Sequence, residues 1–175
     1  MEIFYSNNIA NNLVVLDAYE TKHCIKVLRN KIGDLVNVVD GKGNLFKGII
    51  ESYNNKHCSI KINEISKNYE SKDYYIHIAI SPIKNHDRIE WFIEKSVEIG
   101  IDEISFINCN RTIRKKINID RLNKIAIIAM KQTLKAKIPK INPISDIDGF
   151  INTKNISNKY ICHLEKNICQ TIFEI

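Results

Sequence analysis

The residues best suited to bind a ligand form a basic run in the second half of the chain. Residues 111–140 contain ten Lys or Arg against one acid, Asp120, whereas residues 81–103 contain three against six and residues 1–70 contain nine against eight. The sequence uses Lys far more often than Arg, 21 times against 5, yet three of the five Arg lie in this run. Because the planar guanidinium group makes bidentate contacts with phosphate and base edges, the pattern indicates a nucleic-acid partner. A solvated Lys-rich surface is the alternative.

The basic run predicts a helix over residues 120–137 that is preceded by a loop. Four cations fall on one face of this helix: Arg121, Lys124, Lys131 and Lys135. Its apolar residues, Leu122, Ile125, Ala126 and Ala129, form another face that we expect to pack in the core. The loop before the helix contributes Arg111, Arg114 and Lys115. We expect both groups of cations to contact the phosphates of a nucleic acid.

An acidic stripe precedes the basic run. Residues 85–99 predict a helix, ended by Gly100, that carries Asp87, Glu90, Glu94 and Glu98 along one side. As catalytic carboxylates they lack a nucleophile or metal ligands at suitable spacing. The pattern therefore favours a structural stripe that pairs with cations or faces solvent.

Cysteine and histidine residues offer weaker signals. On a short N-terminal helix, His23 lies beside Lys22, with Arg29 close by, and a lone His is more often structural than catalytic. His163 and Glu165 follow Cys162 at the end of a predicted strand, a frequent site position in α/β folds. Cys162 and Cys169 are seven residues apart with no second pair, which does not match zinc-ligand spacing, so no metal is expected.

The elements that must position these residues change in character along the chain. Short strands over 13–16, 35–39, 44–50 and 58–65, with a helix over 17–28, predict a small β-barrel in the first 70 residues. Residues 65–73 are polar and aperiodic, which indicates a linker. Strands over 75–80, 101–107 and 159–163 then alternate with the two helices above. This order predicts a parallel sheet with crossover helices.

Composition restricts the setting of the protein. The longest apolar stretch has six residues, from Ile125 to Met130, whereas a membrane span needs about 20. The N-terminus lacks a basic region followed by an apolar one, and the five cysteines are odd in number and scattered. We therefore expect no membrane association and a reduced, cytoplasmic environment.

Taken in order, several of these residues resemble a known family. The first 70 residues supply His23 with Val27-Leu28-Arg29, Gly33-Asp34 and Asp40-Gly41-Lys42-Gly43. The remainder supplies Arg88-Ile89-Glu90-Trp91, Glu94-Lys95, Glu98-Ile99-Gly100, the 111–115 loop, Arg121, Met130-Lys131-Gln132, Lys135 and Pro139. In this order, over nearly the whole chain, they resemble the small-subunit ribosomal RNA methyltransferase E family.

The resemblance implies a fold and an activity. The fold is an N-terminal PUA-like β-barrel over residues 1–70 that binds RNA, followed over residues 73–175 by an α/β methyltransferase domain of the SPOUT type. The activity is S-adenosylmethionine-dependent methylation of N3 of a uridine in 16S rRNA, within the small ribosomal subunit, by a homodimer. The RNA-binding residues would be Lys22, His23, Arg29, Arg111, Arg114, Lys115, Arg121, Lys124, Lys131 and Lys135. His163 and Glu165 would border the cofactor pocket.

The sequence departs from the family pattern at its C-terminal end. Family members continue past the position of Ile175 with a Gly-Pro-Glu-Gly loop and a later segment that close a trefoil knot around the cofactor. We therefore expect an incomplete methyltransferase domain that lacks the knot. A non-catalytic RNA-binding or ribosome-associated module is the alternative, and a thiol or metal protein using the Cys and His residues is a third interpretation.

Overall fold

The first half of the chain forms a six-stranded sheet in this computed structural model, which describes residues 2–152 and 158–162. The strands are β1 (Ile3–Tyr5), β2 (Ile9–Ala10), β3 (Leu13–Leu16), β4 (Leu35–Val39), β5 (Leu45–Tyr53) and β6 (Cys58–Ser66). Their order in the sheet is β1-β4-β5-β6-β3-β2, with β1 parallel to β4 and every other pair antiparallel. Alternate residues such as Val14, Leu16 and Val38 are fully buried, as a sheet with one covered face requires.

A short helix connects β3 to β4 and changes type within its length. Asp17 followed three residues later by Glu20 is a capping-box sequence, and helix α1 (Ala18–Lys22) begins at Asp17, whose side chain accepts a hydrogen bond from the Glu20 backbone N–H at 2.8 Å. The chain then widens into a π-helical turn over His23–Val27. Arg29 follows in the left-handed region with a φ of 61°. The predicted helix over 17–28 is thus α-helical only in its first half.

The second half of the chain forms a three-stranded parallel sheet. Strands β7 (His77–Ile80), β8 (Glu103–Asn108) and β9 (Lys140–Asp146) lie in that order, with β8 in the centre. Helices α2 (His86–Ile99) and α3 (Ile119–Gln132) form the crossovers, and α4 (Ile147–Asn152) follows β9. Helix α2 begins at the capping side chain of Asn85 and ends at Gly100, whose φ of 91° closes the helix in the left-handed conformation. The predicted α/β architecture is confirmed.

Two boundaries in this half differ from the predictions. The third strand is 140–146 instead of 159–163: residues 159–162 form neither helix nor strand, and His163 lies outside the described residues. Strand β9 contains Pro143, which a strand tolerates at a sheet edge because no neighbour needs its missing N–H. The helix predicted to reach residue 137 ends at Gln132, and Leu134 turns into the left-handed region with a φ of 58°. Lys135 therefore lies beyond the helix.

One hydrophobic core runs through both halves. Ile3, Val39 and Leu45 of the first sheet belong to the same buried cluster as Leu122 and Ala126 of α3. The backbone N–H of Gly43 donates to the Ala136 carbonyl at 2.9 Å, and that of Ile138 donates to the Gly41 carbonyl at 3.0 Å. A second cluster fills the interior of the first sheet alone. Within residues 2–152, no helix is long and apolar enough to span a membrane.

Candidate nucleic-acid interface

Two loops meet at the carboxyl end of the parallel sheet, where open α/β sheets usually bind their ligands. The loop after β7 begins at Ser81, and the loop after β8 carries Thr112. Their hydroxyl oxygens lie 2.6 Å apart, and Thr112 also accepts a hydrogen bond from the Cys109 backbone N–H at 2.7 Å. The contact therefore fixes the loop that contains Arg111 and Arg114 against the end of β7.

The guanidinium group of Arg114 contacts the loop that leads into α2. Its Nε donates to the Ile83 carbonyl at 3.1 Å, its Nη1 lies 2.6 Å from His86 Nε2, and its Nη2 donates to the Lys84 carbonyl. The guanidinium group thus contacts two carbonyls of this loop and the first residue of α2. These contacts hold Arg114 at the wall of a cavity. A contact between Arg114 and RNA stays a prediction.

That cavity has a volume of about 600 Å³ and is rich in cations. His86, Arg114 and Lys116 line it, together with Asn118 at the start of α3 and with Asp120. Asn118 caps α3 by accepting a hydrogen bond from the Arg121 backbone N–H at 3.0 Å. Cations combined with the positive end of a 14-residue helix create a site suited to an anion such as a phosphate group.

Three of the predicted RNA-binding cations extend from this end of the sheet into solvent. Arg111, Lys115 and Lys124 are exposed, and none forms an ion pair with a residue that the structure describes. Charges without a protein partner can neutralise the phosphates of a nucleic acid at little cost, because no existing pair must be broken. We refer to these three residues as the free cations.

The predicted α3 cations at 121 and 131 have protein partners. Arg121 makes two hydrogen bonds to Glu90, from Nε at 2.5 Å and from Nη2 at 3.0 Å, which lower the pKa of Glu90 and raise that of Arg121. Lys131 Nζ lies 2.5 Å from Glu20 Oε1 in a mostly buried pair between α3 and α1. Sequence spacing cannot reveal a pair that is 111 residues apart. RNA contacts of Arg121, Lys131 and the half-buried Lys135 remain predictions.

The predicted RNA-binding residues of the first half lie on the π-helical turn and beside it. Lys22 and Arg29 are exposed. His23 is half-buried, and its ring packs edge-on against Phe4 with ring centroids 6.1 Å apart. Single π-turns often occur at functional positions, but here the observed contact of His23 is structural.

The acidic residues of α2 and of the sheet's amino end form structural pairs. Lys95 Nζ lies 3.2 Å from Glu94 and 2.7 Å from Glu98, consistent with the structural interpretation of the stripe. At the opposite end of the sheet from the free cations, the buried Asp102 carboxylate accepts hydrogen bonds from Lys137 Nζ and from the Ile76 backbone N–H. These acids reinforce the scaffold and lie outside the interface.

The carboxyl ends of β8 and β9 provide the polar groups that a small cofactor could use. Asn108 Oδ1 is buried and has no hydrogen-bond donor among the described residues, while Asn108 Nδ2 donates to Asp146 Oδ1 at 3.3 Å. A buried acceptor without a donor costs free energy unless a ligand satisfies it, so this pair fits a ligand that offers hydroxyl or amino groups. The predicted cofactor residues His163 and Glu165 lie outside the described residues. In the described part of the chain, no group of three His, Cys, Asp or Glu could hold a metal ion.

Comparisons with known proteins agree with the fold and with the order of its two halves. A family model described as RNA methyltransferase domain matches residues 70–174, and one described as RNA methyltransferase PUA domain matches residues 16–63. Ribosomal RNA small subunit methyltransferase E 2 of Borreliella burgdorferi is 32% identical over 143 residues, which cover 78% of this chain and 58% of that protein. Ribosomal RNA small subunit methyltransferase E of Buchnera aphidicola is 31% identical over 170 residues, which cover 92% of this chain and 66% of that protein.

Solved structures share the same architecture. A probable rRNA-methyltransferase from Porphyromonas gingivalis superposes with a TM-score of 0.81 at 36% identity, over 88% of this chain and 64% of that one. A ribosomal RNA small subunit methyltransferase E from Neisseria gonorrhoeae, solved bound to S-adenosyl methionine, superposes with a TM-score of 0.75. At 22% identity this second likeness shows the fold alone. The chain spans 58% to 66% of the length of the two relatives compared by sequence. Its PUA domain followed by an RNA methyltransferase domain shows that the chain belongs to the family of the small-subunit ribosomal RNA methyltransferases E.

Proposed function

We propose that this chain belongs to an S-adenosylmethionine-dependent enzyme that methylates N3 of a uridine in the 16S rRNA of the small ribosomal subunit. The observation that carries the proposal is the match of the PUA and methyltransferase domains, in this order, to rRNA methyltransferases. A homodimer, a methyltransferase domain of the SPOUT type, a cytoplasmic location and a role in ribosome biogenesis are parts of the same proposal.

The part of the reaction that the described residues would perform is holding RNA. The free cations, Arg111, Lys115 and Lys124, would contact phosphates at the carboxyl end of the parallel sheet, and Lys22 and Arg29 would extend the contact across the first half. The cation-lined cavity beside His86 and Lys116 would hold one phosphate group. Fixing the RNA backbone at several points would orient the target base, which must leave its stack to react.

The cofactor would bind beside these residues. Asn108 Oδ1, which no described residue donates to, and the Asp146 carboxylate would accept hydrogen bonds from its hydroxyl or amino groups at the ends of β8 and β9. The chemistry that S-adenosylmethionine supplies when bound is an electrophilic methyl group. Transfer to N3 requires loss of the N3 proton as the nitrogen–carbon bond forms.

RNA binding tests the proposed interface. We expect the triple variant Arg111→Ala, Lys115→Ala, Lys124→Ala to bind a 16S rRNA fragment about tenfold more weakly at low salt, because three phosphate contacts are lost. The slope of log affinity against log salt concentration should decrease by about 2, since each contact with single-stranded RNA contributes about 0.7. Fluorescence anisotropy over a series of salt concentrations measures both quantities.

A matched control variant distinguishes the effect of where the cations lie from the effect of the net charge that is removed. The variant Lys56→Ala, Lys61→Ala, Lys67→Ala removes the same amount of charge from exposed residues of β6 and its flanking turns, and we expect it to change the affinity less than twofold. Equal losses in the two triple variants would show that net charge alone drives binding. That result would contradict the assignment of the interface to the carboxyl end of the sheet.

A further inference from the structure

A second cavity, which is apolar, lies against the loop that Arg114 contacts. It has a volume of about 440 Å³ between the end of β7 and the first turns of α2. Ile80, Pro82, Ile83, Phe92 and Phe106 form its wall. Trp91 and Arg88 also line it, and Trp91 is 61% exposed. The cavity is therefore an open apolar groove with an aromatic ring and a cation along its edge.

The packing of α2 does not account for the exposure of this tryptophan. The helix buries Ile89, Ile93, Ser96 and Val97, and Phe92 packs against the same core cluster. Trp91 points away from that stripe and is the sole tryptophan in the sequence. An exposed indole beside an apolar groove leaves a large apolar surface in water, which is typical of a binding site.

Charge around the groove favours an anionic ligand. Lys84, Arg88 and Arg114 lie within or next to its lining. Two acids lie in the first turns of α2: Glu90 is paired with Arg121, and Asp87 precedes Arg88. The segment from β7 into α2 thus contributes to both cavities: His86 lines the cation-lined cavity, and Ile83 lines the apolar groove with its exposed aromatic ring. This pair of cavities matches the two chemistries of a nucleotide, a charged phosphate and a flat base with an apolar face.

We propose that the groove binds an unstacked nucleobase of single-stranded RNA, with the base stacked on Trp91 and Arg88 placed against the base or its phosphate. The proposal rests on the proposed function, because it assumes that RNA lies along this end of the sheet. It adds a base-binding site where the free cations contact only phosphates. The groove is distinct from the polar pair Asn108 and Asp146, which lie at the ends of β8 and β9.

The tryptophan itself reports on the site because no other indole contributes to the emission of this chain. We expect a short oligouridylate to quench Trp91 fluorescence on binding to the 175-residue protein. An abasic oligonucleotide with the same number of phosphates should bind with little quenching. In the variant Trp91→Leu, anisotropy should show affinity for the oligouridylate lowered by roughly five- to a hundredfold, with affinity for the abasic chain unchanged. The variant Trp91→Phe, which keeps an aromatic face, should lose less affinity for the oligouridylate than Trp91→Leu.

Each contrary result has a distinct meaning. If the oligouridylate binds without quenching Trp91, or if Trp91→Leu binds it as tightly as the parent, the base-binding proposal falls and the proposed function stands. If neither oligonucleotide nor a 16S rRNA fragment binds, both fall. If emission from Trp91 shifts with protein concentration alone, and sedimentation shows a dimer that Trp91→Leu abolishes, the groove is an interface between copies and the proposal is overturned.

Discussion

Single residues in this fold are held by partners that lie far away in sequence, and Asp102 is the clearest example. Its carboxylate is buried at the amino end of the parallel sheet. Burial raises the pKa of this carboxyl group, but hydrogen bonds from Lys137, Lys72 and the Ile76 backbone N–H outweigh that effect, so the pKa is lower than usual. The ionised carboxylate therefore stabilises the folded state.

The lowered pKa of Asp102 predicts acid destabilisation with a defined sign. The contribution of the Asp102 carboxylate to stability is complete when the pH is above the pKa of the unfolded state, about 3.9. It is lost as the pH falls through the lower pKa of the folded state. Replacing Asp102 with Asn should cost about 2 kcal/mol at pH 7, because two lysines lose their charged partner. Urea unfolding at several pH values should show that the difference in unfolding free energy between the parent protein and Asp102→Asn is constant above about pH 5 and becomes smaller below about pH 4.

The control for this prediction is Asp73→Asn, which changes an exposed acid that forms no ion pair within the described residues. We expect its stability to match that of the parent protein within about 0.5 kcal/mol. A difference between parent and Asp102→Asn that persists unchanged below pH 3 would contradict the pKa argument and would indicate a purely steric effect.

At the scale of elements, local signals in the sequence predicted most of the fold. Capping residues located the start of α1, and Asn85 and Gly100 bounded α2, because these signals act over a single turn. Strand β9 was missed because Pro143 argues against a strand unless the sheet edge is known. Strand β1 pairs in parallel with β4, more than 30 residues away, a contact that no local pattern encodes. The candidate site shows the same limit of local patterns. The sequence identified the free cations as candidate RNA-binding residues, but it did not predict the partners of Lys131 and Arg114.

Gly48 is a position where β5 and β6 approach closely. A β-carbon at this residue would collide with the Lys61 carbonyl oxygen and would lie 2.6 Å from the Ile60 side chain. The register of the two strands shifts between Lys47 and Gly48, so the close approach coincides with a bulge. We expect Gly48→Ala to destabilise the protein by about 3 kcal/mol, since a backbone carbonyl cannot move aside without breaking the sheet. Thermal unfolding followed by circular dichroism measures the loss.

Gly149→Ala serves as the comparison for Gly48→Ala, because a β-carbon there would meet nothing within 4 Å. It lies in helix α4, where alanine is favoured over glycine, so its stability should equal or slightly exceed that of the parent. A melting temperature for Gly48→Ala within a degree of the parent value would show that β5 and β6 can separate at this point, contrary to the expectation.

At the scale of the whole molecule, the two family domains share one core. Residues of β1, β4 and β5 pack with α2, α3 and the parallel sheet in a single buried cluster. The Glu20–Lys131 pair crosses the same boundary, with side chains that are 5% and 17% exposed. Domains joined in this way cannot move independently without exposing apolar surface. The fold thus fixes the orientation of the PUA domain relative to the end of the sheet where the free cations lie.

The shared core predicts that the two domains open together. Lys131→Met would leave the buried Glu20 carboxylate with one hydrogen bond among the described residues, from the Tyr5 backbone N–H at 3.3 Å, and should cost about 3 kcal/mol. Hydrogen exchange read by mass spectrometry should then show faster exchange in both α1 and α3, although only α3 carries the substitution. Lys124→Met, on the same helix but exposed and in no ion pair within the described residues, should leave exchange unchanged. Faster exchange confined to α3 would mean that the domains open separately, and the fixed orientation inferred for RNA binding would then be lost.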